Sequence, residues 1–426
     1  MPALIGAIAD DFTGATDLCS MLVRQGMRAV QLIGVPDQTL GPPDAEALVV
    51  ALKSRTAPVA EAVAQSLAAL QWLREQGARQ FLFKYCSTFD STDRGNIGPV
   101  ADALMDALGT DFTIVCPAFP ETGRTIFKGH LFVGDLLLSD THMRHHPLTP
   151  MTDASLVRVM GRQTLRKVGL VPHDTVRRGP EAIRARYAEL RAAGITYAVT
   201  DVVEDEDLRR LGIASADLAL ITGGSGIAMG LPENFRRQGL LPTGLAADAL
   251  PAVHGFEAVL AGSCSAATLD QVAAMAARRP ALRLDPAELA AGWDPSTAVA
   301  WAAPHLAQGP VLIYASATSE EVRATQERLG RERAGSLVEH ALAAIAQGLV
   351  AAGVRRLVVA GGETSGAVVQ ALGVKGLTIG PMIDPGVPAT VAIGRDPPLA
   401  LALKSGNFGG RDFLIRAFAV MPGGCG

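Results

Sequence analysis

Short apolar runs alternate with longer stretches whose apolar residues recur at helical spacing, and glycine or proline marks most junctions. In the first half, residues 4–9, 29–34, 47–51, 80–85, 113–117, 196–202 and 218–222 predict strands. Residues 59–75, 97–108, 153–167 and 180–193 predict helices. Residues 240–255 carry Pro and Gly at both ends with small residues between, which reads as a linker. Beyond it the alternation restarts, with strands expected at 258–261, 281–284, 310–315, 356–360, 377–379, 389–393 and 399–404. Helices are expected at 266–278, 320–328, 335–352 and 366–372. Strand–helix alternation of this kind predicts an α/β fold. The expectation is two α/β domains with mainly parallel sheets and an active-site cleft between them: residues 1–240, a linker 241–255, and residues 256–426.

Composition narrows the picture. A chain of 426 residues is too long for one core, and 49% hydrophobic residues with 19% charged ones provide a large interior. Net charge is −4, aromatics are 5%, and there is no long basic run, so a nucleic-acid partner is not expected. No unbroken stretch of eighteen apolar residues occurs, so no membrane span is expected. The N-terminal apolar run meets Asp10 and Asp11 at once, unlike a signal peptide. Five cysteines (Cys19, Cys86, Cys116, Cys264, Cys425) are scattered and odd in number, which fits reduced thiols in a cytoplasmic enzyme.

The first chemical candidate follows the first strand. Asp10 and Asp11 lead into Thr13-Gly14 at a helix start, and side chains alternate at a strand end, so the two carboxylates point differently. One is free to face a ligand while the other caps the helix. From the end of the strand at 80–85 runs a polar segment with Lys84, Ser87, Asp90, Asp93, Arg94 and Asn96. Arginine forks a carboxylate, and lysine and serine suit a hydroxylated carbon chain. A further polar patch runs from Glu121 to His130. His142 and His146 have helical metal-site spacing, yet Pro147 disfavours a helix there and no Glu follows in the required pattern, so ordinary loop histidines are expected.

In the second half, an apolar strand runs into Gly361-Gly362-Glu363-Thr364-Ser365-Gly366 and then a helix, which aims free N–H groups and a helix dipole at an anion. Gly262-Ser263-Cys264-Ser265 and Lys404-Ser405-Gly406 also follow strands. Three such turns at one sheet edge predict a nucleotide site, with Lys404 placed to neutralise phosphate. The P-loop pattern is absent, and Gly224–Gly230 misses the dinucleotide spacing by one residue.

Taken together, residues 9–15, 84–98, 223–232, 262–265, 361–366 and 403–409 resemble the four-carbon acid sugar kinase family over nearly the full length. Residues 132–135 and 145–153 look like the branch acting on 3-oxo-tetronate, with D-threonate and D-erythronate kinases sharing the plan. The resemblance implies an N-terminal domain holding the sugar acid and a C-terminal domain holding ATP, with Mg²⁺ bridging the phosphates. It implies transfer of phosphate to the C4 hydroxyl, with Asp10 or Asp11 accepting its proton. Lys84, Ser87, Arg94 and His130 would hold the substrate. Ser263, Ser265, Gly361, Gly362, Glu363, Thr364, Lys404 and Gly406 would hold ATP. Metal ligands are not assigned, and a homo-oligomer is left open. An NAD-dependent sugar-acid oxidoreductase is the rival outside the family.

Overall fold

The computed structural model describes residues 2–37, 40–41, 43–146, 148–244 and 246–423; Cys425, Pro147 and Leu245 lie outside them. The chain divides into two compact units, Met1–Ala247 and Asp248–Gly426.

The first unit carries β1 (Ile5–Ala9), α1 (Phe12–Arg24), β2 (Ala29–Ile33), β3 (Ala47–Ala51), α2 (Val59–Glu75), β4 (Gln80–Lys84), α3 (Ile97–Leu108) and β5 (Thr113–Cys116). Then come β6 (Arg124–Phe127), β7 (His130–Val133), β8 (Leu136–Leu137), α4 (Leu156–Gln163), β9 (Val168–Val171), α5 (His173–Val176), α6 (Pro180–Ala192), β10 (Tyr197–Thr200), α7 (Asp205–Ala214), β11 (Leu220–Gly223) and α8 (Leu231–Arg237). The main sheet has the order β2-β3-β1-β4-β11-β5-β10-β9, with every described pairing parallel. Every residue of β1, β3 and β4 is buried, as a parallel sheet covered on both faces requires. After β1 the chain moves toward β2, and after β4 it moves the other way toward β5. The carboxyl ends of β1 and β4 therefore flank a topological switch point, where open α/β sheets bind ligands.

The second unit carries β12 (Phe256–Ala261), α9 (Ala266–Ala276), β13 (Ala281–Arg283), α10 (Pro286–Ala290), α11 (Ser296–Leu306), β14 (Val311–Tyr314), α12 (Ser319–Leu329) and α13 (Arg331–Ala351). It continues with β15 (Val354–Ala360), α14 (Gly362–Ala371), β16 (Gly376–Asp384), β17 (Val387–Ala392), β18 (Ala400–Lys404) and α15 (Phe413–Val420). Its strand order is β13-β14-β12-β15-β18-β17-β16, parallel as far as β18 and antiparallel beyond. Val259, Val358, Ala402, Phe413 and Leu414 belong to one buried cluster that fixes α15 on the sheet. Here the switch point lies between β12 and β15, because α9 leads outward to β13 and α14 leads the other way to β16.

Several expectations change. Residues 124–137 form a three-stranded antiparallel sheet, β6-β7-β8, where only a polar patch was read. The expected helix 153–167 shortens to α4, and β9 follows it. Helix α14 begins at Gly362 rather than 366, so most of the glycine-rich turn is its first turn. Strand β16 runs on through Gly380-Pro381, well past the expected 377–379. The glycine there is steric: a Cβ would lie 2.3 Å from Leu250 Cδ1. Within α13, Arg333–Ala351 reaches a mean hydropathy of 1.3, long and apolar enough by length and composition to cross a membrane. In this fold Leu342, Ile345, Ala346 and Leu349 of that segment are buried.

Candidate active site

The two adjacent aspartates after β1 do different things. Asp11 is the N-cap of α1, and its Oδ1 accepts from Gly14 N–H at 2.9 Å. Asp10 turns inward, is buried, and is gripped by Arg55: Nε donates to Oδ2 at 2.8 Å and Nη2 to Oδ1 at 2.9 Å. Arg55 Nη2 also lies 3.0 Å from Asp11 Oδ1, and Nη1 lies 3.7 Å from Asp90. Burial pushes the Asp10 carboxyl above the usual range, and the Arg55 hydrogen bonds oppose that. Burial works against the Arg55 charge as well, but its bonds to Asp10 hold it firmly protonated.

Lys84, at the end of β4, is buried and donates from Nζ to Tyr85 O at 2.9 Å. A Cβ on Gly14 would sit 2.2 Å from Asp11 Oδ1 and 2.7 Å from Lys84 Nζ. Only glycine therefore lets both groups converge over the first turn of α1. On the next turn Asp17 accepts from Ser225 Oγ at 2.5 Å, and burial raises its pKa against the pull of Lys84 and Ser225. Asn96 Nδ2 donates to the carbonyls of Ser54, Arg55 and Ala57 at 2.7, 3.3 and 2.9 Å, fixing the backbone that carries Arg55.

Asp10, Asp11 and Lys84 thus come together. Ser87 is half-buried in the loop after β4. No hydrogen bond or ion pair among the described residues joins Arg94 or His130 to them. Arg94 is exposed and lines a separate cavity of about 320 Å³ with Asp93, Asp153 and Arg162. His130 sits on β7, its Nδ1 2.8 Å from Lys128 O. Among the described residues no cluster of three or more His, Cys, Asp or Glu could hold a metal, and His146 Nδ1 is instead 3.1 Å from Thr149 N.

Glycines 223, 224 and 226 serve packing rather than a cofactor. A Cβ on them would lie 2.3, 2.7 and 2.5 Å from the carbonyl oxygens of Cys116, Pro117 and Ala118. Removing every Cβ is what lets the end of β11 close against β5 and delivers Ser225 to Asp17.

In the second unit the three glycine turns meet through Ser263. A Cβ on Gly262 would strike Thr364 Oγ1 at 2.2 Å, on Gly361 it would lie 3.2 Å from Ser263 N, and on Gly406 2.4 Å from Ser263 Oγ. Ser265 caps α9, and its Oγ donates to Gly406 O at 2.6 Å. Gly361 has φ +132°, a glycine conformation, and from it α14 starts with the amides of Gly362, Glu363 and Thr364 unbonded among the described residues. Gly361, Gly362, Glu363, Thr364 and Ser263 line a cavity of about 780 Å³ whose other walls include Ala315, Ala317, Val322 and Val338. Its size and mixed lining suit a nucleotide. Lys404 is 1% exposed, and Nζ donates to Thr268 Oγ1 at 2.9 Å and Gly406 O at 3.0 Å. Burial lowers its pKa to about 8. Asp384 is also engaged, accepting from Gly410 N at 2.9 Å and pairing with Arg416.

Residues 5–231 match the family model of a sugar-binding N-terminal domain, and residues 258–414 that of a nucleotide-binding C-terminal domain. The chain belongs to the four-carbon acid sugar kinase family. A Cupriavidus necator protein named 3-oxo-tetronate kinase is 64% identical over 428 residues, covering 99% of this chain and 98% of its own. A Burkholderia multivorans protein of the same name is 63% identical over 422 residues, with coverages of 99% and 98%. The crystal structure of a Haemophilus influenzae protein, 45% identical, matches with a TM-score of 0.88 over 97% of this chain and 98% of that one.

Arg55, Asp17 and Thr268 were not foreseen. Arg55 stands in a loop with no motif around it, and its partner Asp10 is 45 positions away. Asp17 stands three positions after Gly14 on α1, so both lie on one side of that helix, and that spacing was the available signal.

Proposed function

We propose that this chain is an ATP-dependent kinase that phosphorylates the C4 hydroxyl of 3-oxo-tetronate, giving the 4-phosphate and ADP. The observation that carries the reading is 64% identity across 99% of the chain to a protein of that name. Two sites at two topological switch points, one rich in carboxylates and cations and one built of N–H donors, support it. The enzyme works in the cytoplasm, where ATP is supplied and thiols stay reduced; Cys19, Cys86, Cys116 and Cys264 are all free.

Asp11 is the proton acceptor. Its Oδ1 is occupied by Gly14 N–H and Arg55, while Oδ2 has no hydrogen bond among the described residues. Asp10 aligns Arg55 from beneath. Lys84 and Arg55 supply the positive charge that an acid substrate needs, and Ser87 follows Lys84 in the loop after β4. As the O4–phosphorus bond forms and the bond from the γ-phosphorus to the ADP oxygen breaks, the O4 proton passes to Asp11 Oδ2.

The amides of Gly362, Glu363 and Thr364 and the hydroxyls of Ser263 and Thr364 hold the ATP phosphates, with Gly361 and Gly406 giving the room for close approach and Ser265 and Lys404 behind them. Mg²⁺ commonly rides on phosphate oxygens with one or two protein carboxylates rather than in a protein cage. Glu363 is exposed in the cavity wall with no hydrogen bond or ion pair among the described residues, and so fits that need. When bound, the ion neutralises charge on the transferring phosphoryl group.

The test is Mg²⁺-dependent ADP release with a panel of four-carbon acids. Release with 3-oxo-tetronate and little with D-threonate or D-erythronate is expected. Release with either of the others moves the substrate, and no release from folded protein removes the kinase reading.

A further inference from the structure

One face of α9 is devoted to a single loop. Ser265, Thr268 and Gln271 stand three positions apart, so they line one side of the helix. Ser265 Oγ and Thr268 Oγ1 donate to Gly406 O at 2.6 and 2.8 Å, joined by Lys404 Nζ at 3.0 Å. Gln271 Nε2 then reaches the next carbonyls, Phe408 O at 3.0 Å, Gly409 O at 2.8 Å and Gly410 O at 3.1 Å. An amide nitrogen has two hydrogens, so three acceptors share them. Gln271 is 1% exposed, and its Oε1 is buried with no hydrogen-bond partner among the described residues. The side chain is therefore held by its donor end alone, and the flipped amide would set oxygen against three oxygens.

A trans peptide points its C=O and the following N–H in opposite directions. Drawing the carbonyls of Gly406 and Phe408 toward α9 thus turns the amides of Asn407 and Gly409 away from it. Neither amide donates to any described residue. Gly406 itself packs on Ser263 and Ser265, so the loop that carries these donors begins beside Ser263, which lines the same cavity as the start of α14.

We infer that Gln271 is a positioning residue for nucleotide phosphate: it fixes the loop 406–410 with its N–H groups presented to the anion. The inference rests on the nucleotide reading above. The probe is MgADP, with binding measured by calorimetry on the full chain. In Gln271→Met, which keeps the volume and removes the donors, the MgADP dissociation constant should rise at least tenfold. KM for ATP should rise in step, while KM for the sugar acid and the melting temperature change little. Gln271→Glu, which offers acceptors to three carbonyls, should be at least as weak. If the wild type binds MgADP and Gln271→Met binds within twofold of it, the inference fails while the kinase reading stands. If the wild type binds no nucleotide, both fail. Hydrogen exchange of the wild type needs no variant to fold: MgADP should slow exchange at Asn407 and Gly409, and equal rates with and without MgADP would overturn the inference.

Discussion

Arg55 holds Asp10 by two parallel hydrogen bonds, 2.8 and 2.9 Å long, beneath the carboxylate of Asp11. The pair is buried on the Asp10 side, where one partner without the other leaves an uncompensated charge. Arg55→Met should therefore cost about 3 to 5 kcal/mol of stability, and urea unfolding measures it. Arg55→Lys keeps the charge but not the planar fork, so it should recover part of the stability and little of the turnover.

Asp11 has two duties that one substitution separates. Asparagine caps a helix as well as aspartate does, so Asp11→Asn should leave stability within about 1 kcal/mol of the wild type. Losing the proton acceptor should lower kcat by roughly 10² to 10⁴-fold with ATP affinity unchanged. Steady-state kinetics beside a melting curve reads both, and an unchanged kcat removes Asp11 from the chemistry.

Glycines that look alike in sequence should respond oppositely. Gly262→Ala places a methyl group 2.2 Å from Thr364 Oγ1, so that hydroxyl must move and KM for ATP should rise. Gly223→Ala meets the Cys116 carbonyl at 2.3 Å, backbone that cannot yield, and should destabilise by about 1 to 3 kcal/mol or more. Gly366→Ala meets nothing within 4 Å inside α14 and should stabilise by roughly 0.5 to 1 kcal/mol.

Lys404 ties stability and binding to pH in opposite senses. Burial lowers its pKa from 10.5 to about 8, so between those values the unfolded chain holds a proton that the folded chain has lost. Stability from this group is thus smallest below pH 8 and grows as pH rises toward 10.5. Nucleotide binding should weaken across the same window, because the ammonium behind Gly406 is discharged. Denaturation of wild type and Lys404→Met at pH 7 to 10, with KM for ATP measured alongside, checks this. A stability difference between the two proteins that does not vary with pH contradicts it.

Much of the frame was legible. Helices at 59–75 and 97–108 and the strand at 47–51 match the expected spans, because apolar periodicity there is regular and bounded by Gly, Pro or Asn. The three glycine turns were read as one site, and they do meet, because parallel strands β12, β15 and β18 end on one edge. The β6-β7-β8 sheet was hidden because Arg124, Lys128 and His130 interrupt its apolar residues. Arg55 and Gln271 were illegible for another reason: each works on backbone or carboxylate far along the chain, and no local spacing encodes such a partner.

The strand order carries a cost during synthesis. In the first unit β11 arrives last yet lies between β4 and β5. At roughly 5 to 20 residues per second, the 104 positions from Cys116 to Leu220 take about 5 to 20 s to emerge. Through that interval β4 and β5 face each other across an unfilled lane, two apolar edges of the kind that recruit stray strands. A nascent chain stalled before Leu220 has Asp10, Asp11 and Lys84 in hand but lacks the strand that keeps them in a closed sheet.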